Sequence, residues 1–264
     1  MHDMGAKGTT RWDGAWRWLL PALFLLSLLG AWQLAASTGL LADVFGLEDF
    51  LVPSPAEIGE AIWENRSQLA DNTWVTLQEI LLGMACALVV GAAFAVAMHL
   101  SGFVLRSTYP LVIASQTIPI IAIAPILVIW FGFGIAPKVL IVALVCFFPI
   151  TVATLNGLSS VDPEAQKLMR TLYASRWQIF RRLSVPTALP YLFTGIKISI
   201  VFAPIGAVFG EWVGASAGLG RQILQSNANL QTADLFAAVA VLSVTALTLF
   251  GLTTLVERRV VRWR

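Results

Sequence analysis

The chain has 264 residues, of which 58% are hydrophobic and only 12% are charged, and its formal net charge is +2. Soluble domains carry about 25% charged residues, so this composition excludes an ordinary water-soluble globular protein. It indicates a protein that crosses a membrane several times.

Six stretches of roughly 20 residues are apolar enough to cross a hydrocarbon core of about 30 Å. Lys197 is the only Lys, Arg, Asp or Glu within them, as expected when a charge at the bilayer centre costs about 2.5–3.5 kcal/mol. The sequence therefore predicts an all-α membrane protein with six transmembrane helices, at approximately residues 18–37, 80–100, 111–130, 139–158, 191–209 and 235–256.

The first span allows two interpretations. Arg11 and Arg17 precede it, and Ala35-Ala36-Ser37 resembles the cleavage site of a secretory signal. Its apolar run exceeds the roughly 7–15 residues of a signal peptide, so we expect a retained helix. The chain then divides into a tail at 1–17, this helix at 18–37, an outer segment at 38–71, one compact domain at 72–256 and a tail at 257–264.

Orientation follows from the basic residues, because cytoplasmic loops carry an excess of Lys and Arg. If the N-terminus is cytoplasmic, only Arg66, Lys138 and Arg221 of the 17 Lys and Arg fall outside, and the other 14 fall inside (17 − 3). Both termini are therefore expected in the cytoplasm.

In the outer segment, the helical spacing of Ile58, Ile62 and Leu69 after Pro53-Ser54-Pro55 predicts a short surface helix over 56–69.

Proline and polar residues interrupt three consecutive spans, with Pro119 in the third, Pro149 in the fourth and Pro204 in the fifth. Helix breaks at membrane depth persist where protein or a water-filled cavity satisfies the freed backbone groups. The prolines therefore have two interpretations: kinks that improve helix packing, or a set of residues that lines a pathway for a solute. The candidate pathway residues are Gln116, Thr117, Pro119, Asn156 and Glu211.

Glycines recur every fourth residue at Gly206, Gly210, Gly214 and Gly218. This spacing favours close helix packing, with a moving gate element as the alternative. Gly218-Leu219-Gly220 is expected to end a helix.

The two cysteines lie in apolar spans and the two histidines are far apart, so no metal site is expected.

A charged stretch at 162–190 stands between two apolar spans on the predicted cytoplasmic side. Asp162-Pro163-Glu164 is a strong helix start, and Ser175 with Gln178 forms a capping-box pattern. Pro186 and Pro190 are expected to stop the second helix. The stretch therefore predicts a hairpin of two short helices, which lies either in the lipid headgroup layer or against a soluble partner.

This hairpin resembles the EAA loop of permeases of ATP-binding-cassette (ABC) importers. The resemblance is carried by Glu164-Ala165, Ala174, Ile179, Pro186 and Leu189-Pro190. It implies that the loop docks on a separate ATPase through Asp162, Glu164, Ala165, Leu168, Leu172, Ala174, Ser175, Trp177, Ile179, Phe180, Pro186 and Pro190. Ala174 departs from the usual glycine, and a left-handed backbone there would cost about 1 kcal/mol or more.

The wider text resembles a branch that includes permeases for aliphatic sulfonates, taurine, nitrate and thiamine-related pyrimidines. The matching segments are 51–55, 118–134, 147–158 and 210–211 with 216–220. The stretches at 115–134, 169–180 and 210–220 look most like hydroxymethylpyrimidine permeases. The resemblance implies a type I importer transmembrane fold, with 72–256 as its permease domain. It also implies a homodimer in the bacterial cytoplasmic membrane, contacting lipid, ATPase subunits and an external solute-binding protein, and no nucleic acid. No GxxxxGK[ST] stretch occurs, so ATP is expected to be bound by the partner subunit alone.

Two other classes of protein compete with a permease. An intramembrane enzyme needs a placed nucleophile and base or a metal, which the nearly uncharged spans do not offer. A secondary transporter or channel would be favoured by carboxylates for coupling ions, and the predicted spans contain none. Riboflavin, sulfonate, taurine and nitrate remain alternative solutes.

Overall fold

A computed structural model describes residues 13–46, 48 and 51–262. The predicted tail residues 1–12 and 263–264 lie outside this part of the chain. The described residues form twelve α-helices with a 3₁₀ turn at Ser115–Thr117 and a π turn at Phe180–Ser184. The helices are α1 (Asp13–Ser37), α2 (Leu40–Phe45), α3 (Pro55–Glu64), α4 (Arg66–Leu100), α5 (Gly102–Ala114), α6 (Ile120–Phe131), α7 (Ile135–Ser159), α8 (Pro163–Thr171), α9 (Arg176–Ile179), α10 (Val185–Gly214), α11 (Leu219–Ala228) and α12 (Thr232–Val260).

Within the described residues, five helices are long and apolar enough to cross a membrane, and the bent pair α5–α6 adds a sixth if it counts as one span. Five of the six predicted spans fall inside α1, α4, α7, α10 and α12. The helices extend beyond the predicted spans because hydropathy detects only the apolar part of each helix, and helices continue into polar surroundings.

The third predicted span, 111–130, is not a single straight helix. α5 and α6 meet at an angle of 100°, and the chain leaves the helical conformation at Ile118 and Pro119, where ψ is 121° at both residues. Pro119 lacks an N–H and disfavours helix at the residue before it, which explains the break. Pro149 and Pro204 lie inside continuous helices, so the expectation of breaks in the fourth and fifth spans was wrong.

The predicted surface helix over 56–69 is two helices. α3 begins with a capping box between Ser54 and Glu57, and it ends at Glu64 with Asn65 as its C-cap. α4 starts immediately afterwards, and its Leu69 is buried. The spacing of apolar residues alone does not reveal the break, because both helices bury their apolar faces against the same bundle.

α7 forms the centre of the molecule and packs against α4 and α10. Small residues allow this close approach: a Cβ on Gly195 would lie 2.9 Å from the Pro149 carbonyl oxygen, and one on Gly206 would lie 3.1 Å from the Val145 side chain. Two of the regularly spaced glycines, Gly206 and Gly210, therefore serve helix packing in this conformation. By contrast, the apolar window of α1 buries no residue inside the protein.

The two ends of the bundle differ. At the α8 end lie α8, α9 and the start of α10; at the α11 end lie α11 and the starts of α4 and α7. Gly218 does not end a helix as expected: α10 ends at Gly214, and Gly218, with a φ of 120°, is the N-cap from which α11 begins.

Candidate functional site

The hairpin at the α8 end begins as the sequence predicts. The Asp162 side chain accepts a hydrogen bond from the Glu164 amide at 2.9 Å, and Pro163 occupies the first turn of α8. Glu164 also lies in this turn, where a negative charge interacts favourably with the helix dipole. Both carboxylates are exposed and therefore available to a partner.

The turn after α8 places its strained residue at Tyr173, one position before Ala174. Tyr173 has a φ of 58°, its amide donates to the Arg170 carbonyl at 3.0 Å, and the Ala174 amide donates to the Met169 carbonyl at 3.0 Å. These two bonds define a Schellman motif, whose left-handed residue is usually glycine. The assignment of the glycine position to Ala174 was therefore wrong by one residue, because only the hydrogen-bond pattern identifies which residue is left-handed.

The second helix of the hairpin has the predicted capping box. The Gln178 amide donates to the Ser175 hydroxyl at 3.2 Å, and the Ser175 amide donates to the Gln178 side chain at 2.7 Å. Pro186 and Pro190 do not stop this helix, because α9 continues through the π turn into α10, giving one helical stretch of 39 residues. The π turn shifts the hydrogen bonding just before Pro186: the Val185 amide donates to the Phe180 carbonyl.

Apolar side chains cover the outer surface of the hairpin. Tyr173 is 97% exposed, and Leu168, Leu172 and Trp177 are each more than 60% exposed. Ile179 and Phe180 are buried and fix the hairpin to the bundle, where Phe180 packs among residues of α4 and α7. Of the other predicted docking residues, Ala165, Ala174 and Pro186 are half-buried and Pro190 is buried.

A cavity of about 440 Å³ opens beside the bend between α5 and α6. Gln116 from the bend and Asn156 from α7 both line it, together with Phe148, Pro149 and Phe202. The structure thus brings together two of the predicted pathway residues, which are 40 positions apart in the chain (156 − 116). Thr117 and Pro119 lie at the same bend and do not line this cavity.

A second cavity, also of about 440 Å³, lies closer to the α8 end. Asn156 lines this cavity too, and Arg106, Tyr109 and Ser159 are among its other residues. Because Asn156 contributes to both cavities, they are neighbours.

Glu211 lies elsewhere, in a buried polar cluster at the α11 end. Its carboxylate accepts hydrogen bonds from the Thr76 hydroxyl at 2.6 Å and from the Arg221 amide at 3.0 Å. Thr76 in turn accepts from the Leu219 amide at 2.9 Å. A Cβ on Gly218 would collide with the Glu211 carboxyl group, so a glycine there leaves room for this carboxylate at the N-terminus of α11.

An ion pair lies next to this cluster. The Lys138 ammonium is 3.0 Å from a carboxylate oxygen of Glu79, and both side chains are at most 9% exposed. The pair is shielded from solvent, and the contact with Lys138 is the one ion pair that Glu79 forms among the described residues. The sequence interpretation missed Glu79, Thr76 and Lys138; the available signal was that an acid and a base stand immediately outside two predicted spans.

The chain is similar to known transport proteins. The model of the family described as binding-protein-dependent transport system inner membrane component matches residues 87–262. The formylaminopyrimidine transport permease protein ThiX of Halalkalibacterium halodurans is 37% identical over 93% of this chain and 96% of its own length. The riboflavin transport system permease protein RibX of Chloroflexus aurantiacus is 34% identical over 92% and 89%. The taurine transport system permease protein TauC of Escherichia coli is 29% identical over 94% and 93%.

Solved structures share the fold. The MetNI methionine ABC transporter in an inward-facing conformation matches with a TM-score of 0.64 at 20% identity, over 75% of this chain and 97% of that one. An amino acid ABC transporter matches with a TM-score of 0.62 at 19% identity, over 75% and 96%. At these identities the likeness establishes the arrangement of helices.

Proposed function

The chain belongs to the family of binding-protein-dependent transport system inner membrane components, and we propose that it imports a thiamine-related pyrimidine across the bacterial cytoplasmic membrane. As a member of this family it is a multi-pass permease subunit of an ABC importer and not an enzyme; ATP hydrolysis belongs to a separate chain. The observation that carries the proposed solute is the 37% identity to a formylaminopyrimidine permease along almost the whole of both chains.

The importer would contain ATPase subunits, a solute-binding protein and two copies of this permease. A homodimer is supported by the exposure of Gln116 and Asn156 at membrane depth in the single chain. Polar side chains are costly against lipid tails, so a second copy or a water-filled pathway has to cover this face. ATP would be bound by the ATPase subunits alone.

The α8 end would face the cytoplasm, with both termini on the same side. The distribution of basic residues supports this orientation, since 14 of the 17 Lys and Arg fall at that end or in the tails (17 − 3). Lys197, the one charge within a predicted span, does not contradict it, because it is paired with Glu257 at 2.7 Å. The α11 end would receive solute from the binding protein.

The hairpin of α8 and α9 would dock on the ATPase. Exposed aromatic and aliphatic side chains, with a charged surround, are typical of the centre of a protein interface. Leu168, Leu172, Tyr173 and Trp177 supply the apolar part, and Glu164 supplies an exposed charge at the start of α8. The two neighbouring cavities that share Asn156 would form part of the solute pathway.

Uptake into proteoliposomes tests this function. The permease is reconstituted with its ATPase and solute-binding protein, and accumulation of labelled hydroxymethylpyrimidine is measured with ATP and with a non-hydrolysable analogue. We expect ATP-dependent accumulation that unlabelled pyrimidine suppresses and taurine does not. If the pyrimidine does not accumulate but labelled riboflavin or labelled taurine does so with ATP in the same proteoliposomes, the importer is assigned to that solute instead.

A further inference from the structure

A cavity at membrane depth can let the permease itself recognise its solute, in addition to the solute-binding protein. The cavity beside the α5–α6 bend has the size of a small-molecule site, since such sites have volumes of about 300–1,000 Å³, and this one measures about 440 Å³. Its wall is formed by aliphatic side chains, two phenyl rings and two carboxamides. This composition determines what it can bind.

No ionisable side chain lines this cavity among the described residues. Lys197 precedes a lining residue, Ile198, but its ammonium is held by Glu257 at 2.7 Å. Arg106 lies in the neighbouring cavity toward the α8 end. Moving an anion such as a sulfonate from water into an uncharged, mostly apolar space costs several kcal/mol, so the cavity favours a neutral solute.

The two carboxamides are unused by the protein. Within the part of the chain that the structure describes, neither Gln116 nor Asn156 forms a hydrogen bond with a protein group. Each amide offers one acceptor oxygen and two N–H donors. A ring nitrogen beside an exocyclic amino group, as in an aminopyrimidine, presents the complementary acceptor and donor.

A further acceptor comes from the backbone of α7. Pro149 has no N–H, so the Val145 carbonyl four residues earlier lacks its usual intrahelical donor, and both residues line the cavity. Phe148 and Phe202 add aromatic surfaces, which favour stacked or edge-on contact with a planar ring. Hydrogen-bond donors, hydrogen-bond acceptors and aromatic faces thus line one uncharged cavity.

We propose that this cavity is a solute-binding site of the permease itself, specific for a neutral planar heterocycle with adjacent hydrogen-bond donors and acceptors. This proposal rests on the proposed function and deepens it: the permease, and not only the binding protein, discriminates a pyrimidine from a sulfonate. Gln116 and Asn156 orient the ring edge, and Phe148 and Phe202 contact its faces.

Direct binding tests this proposal. The complex of permease and ATPase is placed in lipid nanodiscs without the solute-binding protein, and binding of tritiated hydroxymethylpyrimidine is measured. We expect saturable binding that taurine does not displace. Asn156→Leu, Gln116→Leu and Phe202→Ala should each weaken it about tenfold or more, which corresponds to about 1.4 kcal/mol.

Matched variants control for structural damage. Phe250→Ala removes a phenyl ring of similar exposure from α12 (40% against 46% for Phe202), and Asn229→Leu removes a carboxamide at the α11 end; both should bind as wild type. Co-purification of the ATPase and its basal activity report assembly of every variant. A tenfold loss confined to the cavity variants supports the site.

Two sets of outcomes separate this proposal from the proposed function. If wild type accumulates pyrimidine but the isolated complex binds none, or if taurine binds as tightly, the cavity is not a selective site and the function stands. If wild type accumulates no pyrimidine, the proposed solute is wrong. In that case, riboflavin binding that Asn156→Leu weakens would still support a cavity site for neutral heterocycles. Riboflavin binding that Asn156→Leu does not change would overturn the proposed site.

Discussion

The Thr76 hydroxyl donates a hydrogen bond of 2.6 Å to the Glu211 carboxylate, although the two residues are 135 positions apart in the chain. Thr76 lies in α4 and Glu211 lies in α10, and both are almost completely buried. Through the Leu219 and Arg221 amides, the same two side chains also hold the first turn of α11. Three helices therefore meet at one carboxylate at the α11 end.

Replacing Thr76 with Val should destabilise the permease. The change keeps the shape of the side chain and removes both the donor to Glu211 and the acceptor for the Leu219 amide. Leaving buried polar groups unpaired costs about 1–3 kcal/mol each, so thermal unfolding in detergent should begin several degrees lower. Thr73→Val, one turn away, is the control, since the Thr73 hydroxyl bonds only to the Leu69 carbonyl of its own helix. Equal effects of the two changes would contradict this role of Thr76.

Replacing Lys138 with Met in the wild-type protein should be more destabilising than the change at Thr76. We expect a loss of about 3–5 kcal/mol, because the buried Glu79 carboxylate is left without a countercharge. Denaturation of the purified protein measures the loss. The double variant Glu79→Gln with Lys138→Met should recover much of it. Lys197→Met should cost less, since the Lys197–Glu257 pair is more exposed, at 23% and 14% of the two side chains. A double variant no more stable than Lys138→Met would show that the pair contributes no coupling.

Replacing Tyr173 with Gly should stabilise the hairpin by about 1 kcal/mol, because glycine adopts a positive φ without the clash that a Cβ creates. Because Tyr173 also lies on the proposed docking surface, the readout is the melting temperature of the purified permease without its ATPase. Ala174→Gly is the matched comparison: it should be tolerated in uptake but should not raise the melting temperature, since Ala174 has no positive φ. If Ala174→Gly raised the melting temperature and Tyr173→Gly did not, the left-handed residue of the turn would be Ala174 and not Tyr173.

Replacing Glu164 with Lys should abolish ATP-driven uptake while membrane insertion stays intact. The change reverses an exposed charge at the proposed ATPase surface and places a positive charge at the N-terminal end of α8. Uptake, together with the ability of the ATPase to co-purify, is measured. Glu60→Lys, which reverses an exposed charge in α3, is the control and should leave co-purification of the ATPase unchanged. Normal uptake by a well-expressed Glu164→Lys protein would remove Glu164 from the docking surface.

Local patterns predicted much of this fold. Five spans were located because hydropathy is a property of neighbouring residues, and the caps at Asp162 and Ser175 were found because a cap acts within three residues. The prolines were harder to interpret. Pro119 breaks its helix, whereas Pro110, Pro125 and Pro149 lie inside continuous helices, so a proline in the sequence does not by itself locate a break.

Long-range pairing was the part that the sequence did not reveal. Glu79 and Lys138 each looked like the polar edge of a separate span, and only the packing of α4 against α7 makes them an ion pair. Likewise, Gln116 and Asn156 were predicted singly, and their shared cavity depends on the 100° bend between α5 and α6. Contacts of this kind have no signature in a window of neighbouring residues.

The unbroken helical stretch from Arg176 to Gly214 has a mechanical consequence. At 1.5 Å per residue, its 39 residues make a rod of about 60 Å. Trp177 lies near one end of this rod, and Phe202 lies on it beside the cavity. If the ATPase docks at Trp177, a movement there can be transmitted to the cavity wall through one helical stretch without crossing a loop. Between the two residues, the π turn and Pro190 interrupt the regular hydrogen bonding of this stretch.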